Sequence, residues 1–270
     1  MVLALLLWAP MGPLQKSPDF KAMFGDAEGC FLARELGSGR EIAFNPARIE
    51  KRFPPCSTYK IPHTVFALSS GVVRANEVFR WDGTPKRIKA WERNLTLPGA
   101  LQVSAVWVYE DIAERLGRAR SASYVRRLGY GNQDVSGWPG AYWLMSSLKI
   151  SAREQVNFLT RLVRNDLPLD QAALRTTKDW LLVESGDGYK LYAKTGSGIE
   201  GEPKGKSAQI RNPQSEIRNQ LGWYVGWLER GKATWVFAAN YRAPNAMGHR
   251  LAPKVRQGFV RMGLLPKATE

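Results

Sequence analysis

A serine and a lysine three positions apart, Ser57 and Lys60, could together perform nucleophilic chemistry on a carbonyl group. On a helix this spacing returns both side chains to one face, with about 5–6 Å between their Cβ atoms. A serine hydroxyl is a weak nucleophile until a base takes its proton, and a desolvated lysine can act as that base once its pKa is lowered. Pro62 removes a backbone donor in the second turn, so we expect the opening turn to be tight or 3₁₀.

The same S-x-x-K pattern occurs a second time at Ser146 and Lys149, so the pattern alone is weak evidence. The alternative for either copy is an ordinary helical serine beside a solvated lysine. We favour Ser57 because it precedes an apolar helix, whereas Ser146 merely follows a tryptophan-containing segment. The N-terminus of that helix would also direct free backbone N–H groups at a developing oxyanion.

A second group of residues, Lys194, Thr195 and Gly196, lies at the end of a stretch that is typical of a strand. A lysine and a threonine on the rim of a strand suit a substrate that carries both a carboxylate and a carbonyl. The glycine allows close approach of the backbone. A lone K-T-G is nevertheless a common strand end.

The elements that must hold these residues follow from hydrophobic periodicity. Residues 29–45 predict a hairpin, and residues 189–195, 221–228 and 234–241 predict three strands rich in aromatic and β-branched residues. Helical patterns fill most of the chain between them. We therefore predict an α/β (α+β) fold, in which one antiparallel sheet made by both chain ends is flanked by helices and carries a helical lobe at about residues 75–180.

Four helical segments are predicted after the first S-x-x-K pattern. Apolar residues at three- and four-residue spacing from Val103 predict a helix that stops at Gly117. Ser151 with Glu154 forms a capping box that opens a second helix. Residues 170–183 predict a third helix, and residues 252–264 predict the last. The polar stretch at about residues 200–220 repeats the tripeptide Ile-Arg-Asn and is expected to be an inserted surface loop.

The amino-acid composition limits the classes of partner and of catalytic site that this protein can have. The 270 residues are 44% hydrophobic, enough for a full core, and 39 Lys and Arg against 24 Asp and Glu give a formal net charge of +15. This charge favours an anionic partner without choosing among nucleic acid, a lipid surface, a cell-wall polymer and a small carboxylate. No finger, aromatic platform or helix-turn-helix pattern accompanies it, so we expect no nucleic-acid partner. Two cysteines and two isolated histidines supply neither a zinc site nor a convincing Ser-His-Asp triad, so we expect no metal and a base other than histidine.

The N-terminal residues 1–20 predict a truncated or mis-started export signal. The apolar run at residues 2–9 is followed by a Pro/Gly break, but a basic n-region and an A-x-A cleavage site are missing from the sequence. An apolar N-terminal tail is the alternative. The run is far shorter than the ~20 residues of a spanning helix, so no membrane span is expected. Residues 21–270 are then expected to form the catalytic domain.

Five motifs in order resemble the class D serine β-lactamases, the oxacillinases. S-x-x-K followed by K-T-G is the signature order of serine β-lactamases and penicillin-binding proteins. Between them, Ser104-Ala105-Val106 matches the S-x-V of class D, Tyr130-Gly131-Asn132 matches its Y-G-N, and Tyr142-Trp143-Leu144 matches its aromatic-Trp-Leu stretch. Residues 221–227 resemble the strand after K-T-G. The resemblance covers roughly residues 28–265 and implies a β-lactamase/transpeptidase-like fold.

The resemblance implies a role for each matched residue near the nucleophile. Ser57 would be the acylated nucleophile, and Lys60 would be the general base, carrying CO₂ as an N-carboxylated lysine. Val106 and Leu144 match the apolar walls of the pocket around this carbamate. Trp143 would donate its indole N–H to the carbamate; the alternative is an ordinary core tryptophan.

The resemblance also assigns the substrate-binding residues. Ser104 would relay a proton to the leaving nitrogen, and the backbone N–H groups of Ser57 and Ser197 would form the oxyanion hole. The drug's carboxylate would face the K-T-G residues Lys194, Thr195 and Gly196. Arg250 matches the family's carboxylate-binding arginine by position only, and a surface arginine is the alternative.

The implied function is hydrolysis of small-molecule β-lactam antibiotics by a periplasmic or secreted enzyme, with CO₂ on Lys60 in place of any other cofactor. Two further activities stay open: a β-lactam-sensing receptor domain that is acylated without turnover, and a D,D-peptidase. A homodimer also stays open. Cys30 and Cys56 either pair in an exported protein or remain two buried thiols.

Overall fold

A computed structural model describes residues 17–199 and 220–267. Their main feature is an antiparallel sheet of six strands in the order β2-β1-β8-β7-β6-β5. The first two strands of the chain pair beside the last one, so the predicted sheet made by both chain ends is confirmed. The expected export signal lies almost wholly outside the described residues, and so does the expected inserted loop.

The strands of this sheet, in chain order, are β1 (Glu28–Glu35), β2 (Glu41–Phe44), β5 (Leu182–Gly186), β6 (Tyr189–Ile199), β7 (Gln220–Arg230) and β8 (Ala233–Arg242). The predicted N-terminal hairpin is β1 and β2, paired from Phe31 with Phe44 to Arg34 with Glu41. The three later predicted strands are β6, β7 and β8, each slightly longer than expected. A separate two-stranded sheet is formed by β3 (Val78–Phe79) and β4 (Leu95–Thr96).

Helices cover both faces of the six-stranded sheet. They are α1 (Phe20–Phe24), α2 (Pro46–Glu50), α3 (Lys60–Ser69), α4 (Leu97–Val103), α5 (Val106–Leu128), α6 (Ala152–Val163), α7 (Gln171–Asp179) and α8 (Gly248–Arg261). The terminal helices α1 and α8 share one core with one face of the sheet, and the helical lobe shares a larger core with the other. Because the sheet is sandwiched, its central strands β7 and β8 are buried along nearly their whole length.

The predicted start of the lobe's longest helix was wrong. Val103 belongs to the preceding helix α4, and Ser104, with a positive φ of 61°, ends that helix before α5 begins at Val106. The predicted end at Gly117 is confirmed, because its φ of 73° and ψ of 160° lie outside the helical range and divide α5 into two helical segments at a kink. The second segment follows directly and runs to Leu128, and its buried side chains, such as Tyr124 and Leu128, belong to the same core.

Three further boundaries differ from the prediction. Leu182 and Val183 start the edge strand β5 instead of extending α7, which ends at Asp179. Residues 196–199 continue strand β6, which was predicted to end at residue 195, because they pair with β7. Helix α8 starts at Gly248, four residues early. A short apolar segment fits either a helix or an edge strand, so pairing with β6 decided the first case.

Two local predictions are confirmed. The Ser151 hydroxyl accepts a hydrogen bond from the backbone of Glu154, whose side chain accepts one in return, so the capping box opens α6. The turn that carries Ser57 is a 3₁₀ turn over Cys56–Tyr59, followed directly by α3. Among the helices of residues 17–199 and 220–267, none is long and apolar enough to cross a membrane.

Candidate active site

The Ser57 turn, residues Cys56–Tyr59, places a serine and a lysine in direct contact. The Lys60 Nζ atom donates a hydrogen bond of 3.1 Å to Ser57 Oγ. Ser57 is half-buried and therefore open to a substrate on one side, whereas Lys60 is fully buried. Its Nζ atom lies 5.1 Å from the centre of the Tyr109 ring. The structure thus places a solvent-accessible serine hydroxyl in hydrogen-bond contact with a buried amine.

Burial controls the protonation of that amine. Desolvation is the largest cause that lowers the pKa of Lys60 well below its ordinary value, and the nearby charge of Lys194 lowers this pKa further. Glu110 acts in the opposite direction but more weakly. A neutral amine holds a free electron pair, so Lys60 can accept the proton of the Ser57 hydroxyl.

A second lysine–serine pair completes the site. Lys194 Nζ on β6 donates a hydrogen bond of 3.1 Å to Ser104 Oγ and one of 3.2 Å to its neighbour's carbonyl oxygen. The left-handed backbone of Ser104 sets this hydroxyl between α4 and α5. Two indole N–H groups fix the preceding chain: Trp91 donates to the Val103 carbonyl over 2.9 Å, and Trp107 donates to the Trp91 carbonyl over 3.2 Å.

Two glycines let strand β6 approach the Ser57 turn. A Cβ atom on Gly196 would lie 3.1 Å from the carbonyl oxygen of Pro55, and one on Gly198 would lie 2.5 Å from Cys56 Sγ. Between them, Ser197 directs its hydroxyl to α8, where Oγ accepts a hydrogen bond of 3.0 Å from the backbone N–H of Gly248. Side chains at either glycine would push the strand away from the nucleophile.

Trp143 lies against the same turn. Its carbonyl oxygen accepts a hydrogen bond of 2.9 Å from the backbone N–H of Cys56, and its ring stacks on Tyr59 with the ring centroids 5.7 Å apart. The indole is fully buried, and its N–H has no hydrogen-bond partner in the part of the chain that the structure describes. Val106 and Leu144, the other expected pocket residues, are half-buried and pack against the core that contains Trp143.

His63 belongs to this pocket and was not anticipated from the sequence. Its fully buried ring meets Trp143 edge-on at 5.1 Å between centroids, and neither ring nitrogen finds a hydrogen-bond partner among the described residues. Desolvation, aided by the charge of Lys60, lowers its pKa to about 3, so the ring is neutral. The available signal was its spacing of three from Lys60, which puts both on one helical face.

The Y-G-N motif holds the chain segment after Trp143 in place. The Asn132 side chain accepts a hydrogen bond of 2.9 Å from the Lys149 backbone and donates one of 2.8 Å to the Ser147 carbonyl. Gly131 has a φ of +56°, and a Cβ there would lie 2.0 Å from the Lys149 carbonyl oxygen. Tyr130 is buried against Tyr59. The motif therefore supports the pocket through backbone contacts.

The second S-x-x-K copy is not a site of the same kind. Ser146 and Lys149 lie in an irregular segment instead of a helix, so the spacing of three does not bring the two side chains to one face. The two cysteines, Cys30 and Cys56, are both buried free thiols, so the disulfide alternative was wrong.

Arg250 lies in the first turn of α8 with an exposed side chain. The helix start itself is close to the K-T-G strand, since a Cβ on Gly248 would lie 2.6 Å from the Gly196 carbonyl oxygen. Thr195 is half-buried beside it. The backbone two residues before Arg250 is therefore close to the strand, and the role of Arg250 in binding stays a prediction. Within the described residues, no group of three His, Cys, Asp or Glu side chains could hold a metal ion.

Three features together are typical of a transpeptidase-like serine domain: a sheet formed by both chain ends, a buried lysine beside a serine, and a second lysine on strand β6 that is hydrogen-bonded to another serine. The sequence matches the penicillin binding protein transpeptidase domain over residues 28–259. Beta-lactamase OXA-2 of Salmonella typhimurium is 38% identical over 250 residues, 91% of this chain and 83% of that protein. Beta-lactamase OXA-10 of Pseudomonas aeruginosa is 39% identical over 211 residues, 77% of this chain and 74% of that protein.

Solved structures agree with these relatives. A class D β-lactamase from Bacillus subtilis has a TM-score of 0.81 at 30% identity and covers 92% of this chain and 97% of its own. The BPu1 β-lactamase has a TM-score of 0.80 at 30% identity, over 93% of this chain and 98% of its own. The chain belongs to the class D β-lactamase family, and the β-lactamase/transpeptidase-like fold expected from its motifs is confirmed.

Proposed function

We propose that this protein hydrolyses β-lactam antibiotics through an acyl-enzyme on Ser57. The observation that carries the proposal is the hydrogen bond of 3.1 Å between the buried Lys60 amine and the Ser57 hydroxyl. Its named class D relatives support the same reaction. A serine nucleophile divides a difficult amide hydrolysis into two easier steps.

In acylation, Ser57 Oγ attacks the lactam carbonyl while its proton moves to the base at Lys60. The C–O bond of the ester forms, the lactam C–N bond breaks, and the leaving nitrogen receives a proton. Ser104 is the group that relays this proton, because its hydroxyl is hydrogen-bonded to Lys194 at the rim of the site. The backbone N–H groups of Ser57 and Ser197 would stabilise the oxyanion.

The carboxylate of the substrate is assigned to Lys194, Thr195 and Arg250. Charge-assisted hydrogen bonds to such a carboxylate contribute about 1.5–3 kcal/mol each. Lys194 also stays close to Ser104, so binding of the carboxylate and delivery of the proton occur at neighbouring groups. Gly196 adds the close approach of the backbone at the same place.

The pocket around Lys60 fits an N-carboxylated lysine. Carbamate formation requires a neutral amine, and burial lowers the pKa of Lys60 in that direction. Buried polar groups are normally hydrogen-bonded, so the unpartnered indole N–H of Trp143 and the unpartnered ring of His63 call for an acceptor at this position. When present, the carbamate supplies an anionic base that accepts the Ser57 proton in acylation and a proton of the water that hydrolyses the acyl ester in deacylation, which releases the opened lactam and restores the Ser57 hydroxyl. Trp143 would hold it, with Val106 and Leu144 excluding water.

Turnover of a chromogenic cephalosporin by the purified protein tests the function. We expect steady hydrolysis beyond one equivalent and a covalent penicillin adduct that mass spectrometry locates on Ser57. Ser57→Ala should abolish both, while Ser146→Ala, in the other S-x-x-K copy, should change neither. A single stoichiometric burst would indicate the sensor alternative, and cleavage of D-Ala-D-Ala peptides without β-lactam turnover would indicate a D,D-peptidase.

Bicarbonate tests the carbamate. Protein dialysed at acid pH and returned to pH 7 should regain activity when bicarbonate is added, and ¹³C-labelled bicarbonate should give a carbamate signal in NMR spectra. Trp143→Phe keeps the ring and removes the N–H, so the bicarbonate concentration for half-maximal labelling should rise about tenfold, corresponding to one lost hydrogen bond to a charged group. Equal labelling of Lys60→Ala protein would contradict the assignment to this amine.

We also propose that the protein acts in the periplasm or is secreted. The support is the apolar run at residues 2–9 of the sequence. Cell fractionation of the expressed full chain, with N-terminal sequencing of the recovered protein, tests this. Recovery of unprocessed protein from the cytoplasmic fraction alone would contradict it.

A further inference from the structure

A cleft of about 520 Å³ continues from the proposed carboxylate site along the edge of the sheet. One wall is strand β6 at Lys194 and Thr195, a second is the edge strand β5 at Leu182 and Val183, and a third is helix α4 with Gln102. None of the residues described as lining it is acidic. The reaction steps above do not use this space.

The cleft exists because β5 begins only at Leu182 and leaves the following part of β6 uncovered. The last pair between β5 and β6 joins Leu182 to Tyr192, and one more hydrogen bond of 2.9 Å runs from the Ala193 N–H to the Leu181 carbonyl. Beyond that point β6 pairs on one side only, with β7, in the part of the chain that the structure describes. The open edge of β6 therefore runs continuously from the cleft to the Ser57 turn.

Two apolar residues that line the cleft are exposed to solvent. Leu182 is 43% exposed and Val183 is 57% exposed, which makes them two of the four exposed large apolar residues among those described. Trp180, half-buried in the core, lies beside them in the lining. Exposed apolar groups gathered in a concave site are typical of a ligand subsite.

The direction of strand β6 indicates which part of a bound substrate would lie in the cleft. Gly196 and Gly198 contact the Ser57 turn, so the scissile carbonyl lies at that end of β6. Lys194 and Thr195 hold the carboxylate in the middle, and Ala193 and the cleft follow on the other side. A substituent next to the carboxylate, on the ring fused to the lactam, would extend into the cleft.

We propose that this cleft is a subsite for an aromatic or extended apolar substituent carried beside the carboxylate, as at C3 of a cephalosporin. The inference rests on the proposed function and specifies the substrates that the same site prefers. Penicillins have only methyl groups at this position and cannot fill the cleft. The uncharged apolar wall of Leu182, Val183 and Trp180 favours a flat aromatic group over a charged one.

Two cephalosporins with the same thienylacetamido group provide the test: nitrocefin carries a dinitrostyryl group at C3, and cephalothin carries acetoxymethyl. The double substitution Leu182→Ser and Val183→Ser removes apolar contact area, so KM for nitrocefin should rise about five- to tenfold and kcat should stay nearly constant. KM for cephalothin should change less than about twofold. Val78→Ser, which removes a similarly exposed apolar side chain on β3, should change neither substrate.

Filling the cleft gives a second, independent measurement. Val183→Trp should raise KM for nitrocefin more than KM for cephalothin, because the larger ring occupies the same space. Equal effects on the two cephalosporins in both variants would overturn the subsite. The subsite would also be overturned if the double serine variant had unchanged kinetics and half the mass of the wild type in sedimentation experiments. That result would show that a second copy of this chain covers Leu182 and Val183. Failure of the wild-type protein to hydrolyse any β-lactam, benzylpenicillin included, would refute the proposed function instead, whereas hydrolysis of benzylpenicillin but of neither cephalosporin would overturn the subsite alone.

Discussion

The backbone N–H of Cys56 donates a hydrogen bond of 2.9 Å to the carbonyl oxygen of Trp143. This bond ties the residue before the nucleophile to the segment that closes the lysine pocket. Cys56 itself has a positive φ of 51°, which a residue with a side chain rarely adopts. The position of Ser57 is therefore set by a strained backbone held between Trp143 on one side and strand β6 on the other.

Gly198→Ala should distort this arrangement. The new methyl group would lie 2.5 Å from Cys56 Sγ, so either the strand or the Ser57 turn must move. Overpacking of this kind costs about 1–3 kcal/mol of unfolding free energy, and displacement of the nucleophile should lower kcat/KM about tenfold to a hundredfold. Steady-state kinetics and urea unfolding measure the two effects.

Cys56→Ala provides the matched rescue, because it removes the sulfur that the new methyl group would meet. Combined with Gly198→Ala, it should recover most of the lost kcat/KM and unfolding free energy. Cys56→Ala alone should lower the unfolding free energy by only about 1 kcal/mol, as one buried sulfur is lost. Purely additive effects in the double variant would show that the two residues do not collide.

Lys60→Met should abolish hydrolysis and stabilise the fold. A buried amine is neutral in the folded protein at pH values where the unfolded chain binds a proton, because burial lowers its pKa. The stability of the wild type therefore falls as the pH drops from about 10.4 toward the lowered folded-state pKa. Methionine has similar length and no such cost, so urea unfolding at pH 7, in buffer freed of bicarbonate so that Lys60 is a free amine, should show a gain of about 1–4 kcal/mol.

The pH dependence separates this effect from better packing. The gain from Lys60→Met should be smaller at pH 10 than at pH 7, because the unfolded chain then binds less proton. Lys254→Met, at an exposed position on α8, serves as the control and should show neither the gain nor its pH dependence. A loss of stability in Lys60→Met at pH 7 would contradict the buried neutral amine.

Much of this site could be predicted from the sequence because its motifs are local. The spacing of Ser57 and Lys60 needs one turn of helix, and Pro62 correctly indicated a tight opening turn. The strand of Lys194 was recognisable from its aromatic and β-branched residues, and the strands at both chain ends indicated the sheet. Such features depend on neighbours in sequence, which the sequence displays directly.

The missed features depend on tertiary contacts. In the sequence His63 is an isolated histidine, whereas in the fold α3, α5 and the Trp143 segment enclose it between aromatic rings. The helical segment after Gly117 was not predicted, because a glycine that ends a helix and a glycine that joins two helical segments at a kink have the same sequence. Leu182 and Val183 fitted a helical pattern until pairing with β6 made them an edge strand. In each of these three cases, contacts with residues distant in sequence determined the local structure.

The activity should fall at alkaline pH because of Lys194. Burial lowers the pKa of this lysine to about 8, so the free enzyme loses the positive charge above that pH. Only the charged form attracts the carboxylate of the substrate, so kcat/KM should decrease above about pH 8 while kcat changes less. Lys194→Arg keeps a charge across this range and should remove the alkaline decrease, even if its plateau is lower. An unchanged decrease in the arginine variant would assign the titration to another group.

The thiols of Cys30 and Cys56 should be unreactive in the folded protein. Both side chains are buried, and burial raises the pKa of each to about 12. Because the thiolate is the reactive form, labelling with Ellman's reagent at pH 8 should require opening of the structure. We expect no fast labelling of native protein and two thiols per chain in guanidinium chloride without a reductant. Dithiothreitol should leave the melting temperature unchanged, since no bond is present to reduce. Fewer than two thiols in the unreduced, unfolded protein, together with a lower melting temperature after reduction, would show a disulfide and contradict the separate buried thiols on which the Cys56→Ala rescue depends.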